Sequence, residues 1–223
     1  MICLGMDTST MRTSVGIIKD DEELLSYEIS GSMYHSEELT NIIEESLNKL
    51  NLKIKDIDLF SVGVGPGSFT GVRIAVTIAR IFASSTQKNI ISVSSLMATA
   101  LSYEGNEIIV PIVDARRNRA YFGLYTNNNQ EISCIKEDSL MDIDEIIKLV
   151  ENKKVALVGS GATTFKDKFM EKCEVIVPKF NLIRGANIAK LGKINFEKYG
   201  ADKIEDVLPN YINIPQALEN IKK

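Results

Sequence analysis

The chain has 223 residues, 44% of them hydrophobic and 25% charged, which suits one large domain or two smaller lobes and excludes a disordered or fibrous protein. Its net charge of −4 argues against autonomous nucleic-acid binding, which rests on a basic field, so a role on RNA needs a partner to supply the charge. The amino terminus, MICLGMDTST, lacks the basic leader and long apolar core of a signal peptide, and the longest apolar helix is interrupted by Arg73 and Arg80, so no membrane span is expected and the cytoplasm is the expected compartment.

Residues 2–7 form a short apolar run ending in Asp-Thr-Ser-Thr; a second run covers residues 13–18 and a third residues 23–29. The charged cluster Lys19-Asp20-Asp21-Glu22 separates the last two, so the pattern is a three-stranded meander. Residues 35–50 place Leu39, Ile42, Ile43, Leu47 and Leu50 at helical spacing, with Ser36 as the expected cap and Glu37 and Glu38 suited to the first turn.

The stretch 61–84, SVGVGPGSFTGVRIAVTIARIFAS, is the most informative in the chain. A strand over residues 59–64 enters a turn made by Gly63, Gly65, Pro66 and Gly67, and a helix opens at Ser68, whose hydroxyl can cap the first free amides. Thr70, Arg73, Thr77, Arg80 and Ser84 recur at three- and four-residue steps as one narrow polar stripe. A helix packed on one sheet needs an apolar arc of only about 100°, and this one has far more. Either it is sandwiched inside its own domain or it offers a second face to a partner.

A strand over 90–93 and a helix from Ser94 or Ser95 to 102 follow, and then the order begins again. Residues 108–114 end in an aspartate as residues 2–7 do; 120–126 and 132–135 supply two more strands, 143–151 a helix, 155–158 a strand ending in Gly159-Ser160-Gly161, and a helix starts near Thr163. A strand at 175–177 and a helix over 186–199 close the pattern. Asp7 corresponds to Asp114, and Val62-Gly63-Val64-Gly65 to Val158-Gly159-Ser160-Gly161. A repeat of this large period means an internal duplication: α/β lobes at 1–103 and 104–223, each a mixed sheet flanked by helices, with the boundary at Glu104-Gly105-Asn106. The charged tail 216–223 is expected to fray.

The residues that could carry chemistry are few. Cys3, Cys134 and Cys173 are odd in number and widely spaced, which reads as small buried hydrophobes rather than a disulfide framework. The single histidine, His35, excludes a zinc site needing two, and neither HExxH nor CxxC occurs. Gly65-Pro66-Gly67-Ser68 at a helix start could hold an anion on backbone amides, yet it is neither a Walker A loop nor GxGxxG. GxSxG is absent, and a hydrolase triad could recruit only His35. Asp7, beside Thr8 and Ser9, reads as tying its own turn.

A strand ending in Asp-Thr-Ser-Thr before a tight turn resembles the metal- and phosphate-binding hairpin of the actin, sugar-kinase and chaperone ATPase (ASKHA, ribonuclease H-like) superfamily, whose lobes are duplicated in this order. Here Ser9-Thr10-Met11-Arg12 stands where glycines are usual. The string Gly-Pro-Gly-Ser-Phe-Thr-Gly-Val-Arg at 65–73, with Asp7-Thr8-Ser9-Thr10, His35-Ser36-Glu37, Val93-Ser94-Ser95-Leu96 and Asp114-Ala115-Arg116-Arg117, resembles the bacterial TsaB (YeaZ) family of threonylcarbamoyladenosine biosynthesis. The resemblance implies duplicated actin-like lobes and a noncatalytic scaffold, with Asp7, Thr8, Ser9, Gly65, Gly67 and Ser68 as degenerate anion or nucleotide loops. It implies no cofactor or metal of the chain's own and leaves ATP or ADP to an interface shared within a complex. Its implied partners are a TsaD-like catalytic subunit and a TsaE-like ATPase, with tRNA reached through the complex and a homodimer when alone. The implied interface is Leu39, Ile42, Ile43, Phe69, Val72, Arg73, Val76 and Arg80. The family often has glycines or other small residues where this chain has Ala75 and Ile81, and Tyr-Leu-Arg where it has Tyr211-Ile212-Asn213. The alternative is a stand-alone phosphotransferase or a peptidase.

Overall fold

A computed structural model describes residues 1–31, 35–128 and 131–212, with backbone alone for 35–37. The first half runs β1 (Ile2–Asp7), β2 (Arg12–Lys19), β3 (Glu22–Ser30), α1 (His35–Lys49), β4 (Leu59–Gly63), α2 (Phe69–Thr86), β5 (Asn89–Val93) and α3 (Ser95–Ala100). The second runs β6 (Gly105–Asp114), β7 (Arg119–Asn128), β8 (Glu131–Asp142), α4 (Ile143–Leu149), β9 (Lys154–Val158), α5 (Ala162–Met170), β10 (Glu174–Ile176) and α6 (Gly185–Tyr199). Every element expected from the sequence is present. The main difference is β8, which runs on to Asp142; the charged run Lys136-Glu137-Asp138 hides its strand period in the sequence. The side chains of His35, Ser36 and Glu37, together with Asn213 and the tail 216–223, lie outside the described residues.

The strands form two five-stranded sheets, β3-β2-β1-β4-β5 and β10-β9-β6-β7-β8. In each, three strands form an antiparallel meander and two more add in parallel beside the first, so the sheets repeat one topology, as duplicated actin-like lobes require. Alternation along the strands assigns the faces. Leu4, Met6, Val15, Ile17, Phe60 and Val62 point toward α1 and α2, whereas Cys3, Ile18, Leu59 and Ile91 meet Ala189 of α6 on the other side. In the second sheet Ile112, Phe122 and Leu157 pack with Phe165 and Phe169 of α5 and Ile146 of α4.

The helices between the sheets are exchanged. Ala100 at the end of α3, from the first half, joins Ile109, Tyr125 and Val158 of the second sheet, and α6, from the second half, lies across β1, β2 and β4 of the first. Packing thus crosses the expected division at 103 and 104. Gly16 of β2 and Gly185 of α6 bring the two backbones together with no space for a Cβ on either. Helix α6 begins without a side-chain cap of its own; Glu28 accepts from the Gly185 amide and Ser26 from the Ala186 amide, so β3 satisfies its first donors. Past α6, Asp202 accepts from the amide and hydroxyl of Ser92 at 2.7 and 2.6 Å, Val207 enters the first core, and the Asn210 amide donates to the Val64 carbonyl at 2.8 Å. This strap, residues 202–211, carries the chain back to the turn before α2.

Across the sheets, Asp138 of β8 accepts from the hydroxyls of Tyr125 and of Ser94, the cap of α3. Burial pushes its carboxyl above the usual carboxylate range, against the pull of those two hydrogen bonds.

Gly16→Ala forces the β2 and α6 backbones apart and should lower unfolding free energy by about 2 kcal/mol or more in urea titrations; an unchanged midpoint would show that the contact yields freely. Because the folded chain holds the Asp138 proton more tightly than the unfolded chain, this group's stabilising effect is present below about pH 4 and fades as pH rises through its raised value. The free energy of unfolding measured from pH 4 upward should therefore decline in the wild type relative to Asp138→Asn, and parallel profiles would remove Asp138 as the cause.

Candidate docking surface

The hairpin after β1 is folded onto the turn before α2. Buried Asp7 accepts from the Ser9 amide and hydroxyl at 2.8 and 2.7 Å and from the Ser95 hydroxyl at 2.5 Å. The Ser95 oxygen accepts in turn from the Gly65 amide at 3.0 Å, tying β1, the glycine turn and α3 into one network. Thr8 donates to the Gly71 carbonyl at 2.6 Å, and the Ser9 carbonyl accepts from the Ser68 amide at 2.6 Å. Gly67 and Gly71 have no space for a Cβ, because the carbonyls of Ser9 and Thr8 stand where it would go. Ser68 is the cap of α2, accepting from the Gly71 amide. Two of the amides at the start of α2 are thus bonded within the fold, and the predicted loop residues Asp7, Thr8, Ser9, Gly65, Gly67 and Ser68 form one closed joint.

This joint fixes which side of α2 meets solvent. Leu39, Ile42 and Ile43 of α1 and Val72 and Val76 of α2, all expected at an interface, are at most 3% exposed and belong to the first core. They offer no surface on the folded chain: the apolar stripe of α1 is covered by the first sheet, and α2, apolar nearly all round, gives no phase for deciding which of its residues turn inward. Ala75 is buried too, so its departure from the family pattern bears on the core. The outward stripe consists of Phe69 at 40% exposure, Arg73, Thr77 and Ile81 at 57%, with Arg80, Ile74 and Ile78 half-buried beside it.

Tyr211 at the end of the strap joins this stripe, a contribution that sequence reasoning missed. Its ring stacks on Phe69 with centroids 4.7 Å apart and planes at 29°. The Arg73 guanidinium lies 3.9 Å above the Phe69 ring, and its Nε donates to the Tyr211 hydroxyl. Further along, Thr77, Arg80, Ile81, Ser84 and Ser85 border a groove of about 510 Å³ closed on one side by Ile204 of the strap. The tyrosine lies in an extended segment without periodicity, so its place had no signal beyond the family's own tyrosine there.

Among the described residues no three His, Cys, Asp or Glu side chains gather as a metal site, and no helix is long and apolar enough to cross a membrane. Of the cysteines, Cys3 is buried and Cys173 partly so, but Cys134 is exposed, contrary to expectation, because it sits on an exposed stretch of edge strand β8.

The family described as "TsaD: tRNA N6-adenosine threonylcarbamoyltransferase" matches residues 30–221. A Bacillus subtilis relative named tRNA threonylcarbamoyladenosine biosynthesis protein TsaB is 29% identical over 97% of this chain and 96% of its own. A second of that name, from Buchnera aphidicola of Acyrthosiphon pisum, is 32% identical over 69% of this chain and 71% of its own. The chain belongs to the TsaB family. The solved YeaZ structure from Pseudomonas aeruginosa superposes with a TM-score of 0.78 at 21% identity, covering 94% of this chain and 99% of that one, which shows the shared fold. The transferase match spans both halves of the chain, whose two sheets repeat one topology.

If Asp7 serves the joint, Asp7→Ala leaves buried hydroxyls and amides without their acceptor and should cost about 2–4 kcal/mol of stability in denaturant unfolding. A variant as stable as the wild type would reopen a chemical role for this carboxylate.

Proposed function

We propose that this chain is a noncatalytic scaffold that docks on a TsaD-type catalytic subunit and activates it in transferring threonylcarbamoyl to the adenosine beside the anticodon of tRNA. The observation that carries this reading is the outer face of α2, where Phe69, Arg73 and Ile81 stand exposed on a helix capped by Ser68. Membership of a family whose members are named for threonylcarbamoyladenosine biosynthesis supports the pathway, and the transferase match supports the kind of partner. The closed hairpin favours a structural over a phosphate-binding role for the first lobe.

In this reading the lobe of residues 1–103 carries the docking helix, and the strap completes its surface. A TsaE-like ATPase is a further associate, ATP or ADP binds at an interface shared within the complex, and tRNA is reached through that complex in the cytoplasm. Without the catalytic subunit, the same face pairs with a second copy. A two-fold contact is the commonest way to cover such a patch.

Copurification from the native cell should return a stoichiometric TsaD-type subunit, and the purified chain alone should turn over neither ATP nor threonylcarbamoyl adenylate. Ile81→Glu should leave the fold intact, since that side chain is 57% exposed, and weaken binding a hundredfold or more, because a docked, unpaired carboxylate costs several kcal/mol. Val76→Glu should instead unfold the chain, because Val76 is in the core. Normal binding by a folded Ile81→Glu variant would place the interface elsewhere.

A further inference from the structure

We propose that Arg73 sets partner specificity on this face, held by Phe69 and Tyr211 as a preset fork for a carboxylate of the catalytic subunit. The inference rests on the docking reading above and names the chemistry that the partner must bring. Phe69 covers one face of the guanidinium, and the Tyr211 hydroxyl takes its Nε–H. Side-on pairing through Nε is therefore closed, which leaves the two terminal NH₂ groups for an end-on, two-point contact. Tyr211 reaches this position because the Asn210 amide bonds Val64, so the strap itself presets the fork.

The fork calls for an acid. Helix α2 contains no Asp or Glu, and no carboxylate of the described residues pairs with Arg73 or Arg80. Covering the stripe with a neutral surface would bury an unpaired cation. Pairing α2 with α2 about a two-fold axis would set arginine stripe against arginine stripe, so the fork fits a heterologous partner better than a second copy.

Titration of the full chain against the TsaD-type subunit at several salt concentrations tests this. Arg73→Met should weaken binding about thirtyfold and flatten its salt dependence, and Tyr211→Phe should weaken it about fivefold. If the tyrosine acts through the arginine, Tyr211→Phe should cost less than about twofold in the Arg73→Met background. Wild-type affinity in Arg73→Met overturns the proposal, as does an equal cost of Tyr211→Phe in both backgrounds. So does an Arg73→Met variant that weakens the homodimer alone. Loss of binding in Ile81→Glu with Arg73→Met unaffected retires the fork and keeps the docking face; normal binding in Ile81→Glu retires the face itself.

Discussion

The close approach of the β1–β2 hairpin to the start of α2 governs the first lobe. Backbone carbonyls of Thr8 and Ser9 press against Gly71 and Gly67 where side chains would stand, and the Ser9 carbonyl takes the Ser68 amide. Asp7 secures the arrangement from below by gathering donors from its own turn and from Ser95. With its first turn fixed at this joint, α2 has one rotational setting on the sheet. Val72, Val76 and Ala79 face inward as a result, and Phe69, Arg73 and Ile81 face outward.

The same economy of contact joins the two sheets. Helix α3 leaves the first sheet to cover the second, and α6 returns from the second to cover the first. Asn187 of α6 donates to the Ala98 carbonyl and the Ser102 hydroxyl, so the exchanged helices are bonded to each other. Ser94 extends the connection to Asp138 on the far sheet. Each sheet is thus completed by an element from the other half of the chain, and the segment after α6 is led back to the turn before α2.

Much of this was legible in the residues. Alternation and helical spacing located the elements, the recurrence of Asp7 at Asp114 and of one glycine turn at another revealed the duplication, and Ser68 announced the start of α2. The orientation of α2 was not legible, because hydrophobic periodicity assigns a face only when polar residues mark the opposite one. Here Ile74, Ile78, Ile81 and Phe82 flank the polar stripe, and nothing in spacing alone separates them from Val72 and Val76. The part played by Tyr211 was equally hidden, since it depends on a contact across 138 positions of sequence. Leu39, Ile42 and Ile43 were legible as the apolar stripe of an amphipathic helix, and a stripe of that width is what one sheet covers by itself.

These limits share a cause that bears on the outer surface of α2. In the proposed docking reading, the face on α2 is built from what the core leaves over: one aromatic anchor, Phe69, one aliphatic anchor, Ile81, and two arginines. Such a residue set is sparse, so its discrimination depends on rigidity more than on area. The fold supplies that rigidity from three directions: the capped first turn, the core beneath Val72 and Val76, and the strap that lays Tyr211 against Phe69. The hairpin after β1 acts as a strut, its Ser9 carbonyl taking the Ser68 amide and its Thr8 hydroxyl donating to the Gly71 carbonyl. The close contact of the two backbones at Gly67 and Gly71 makes it a fixed support for the face above it.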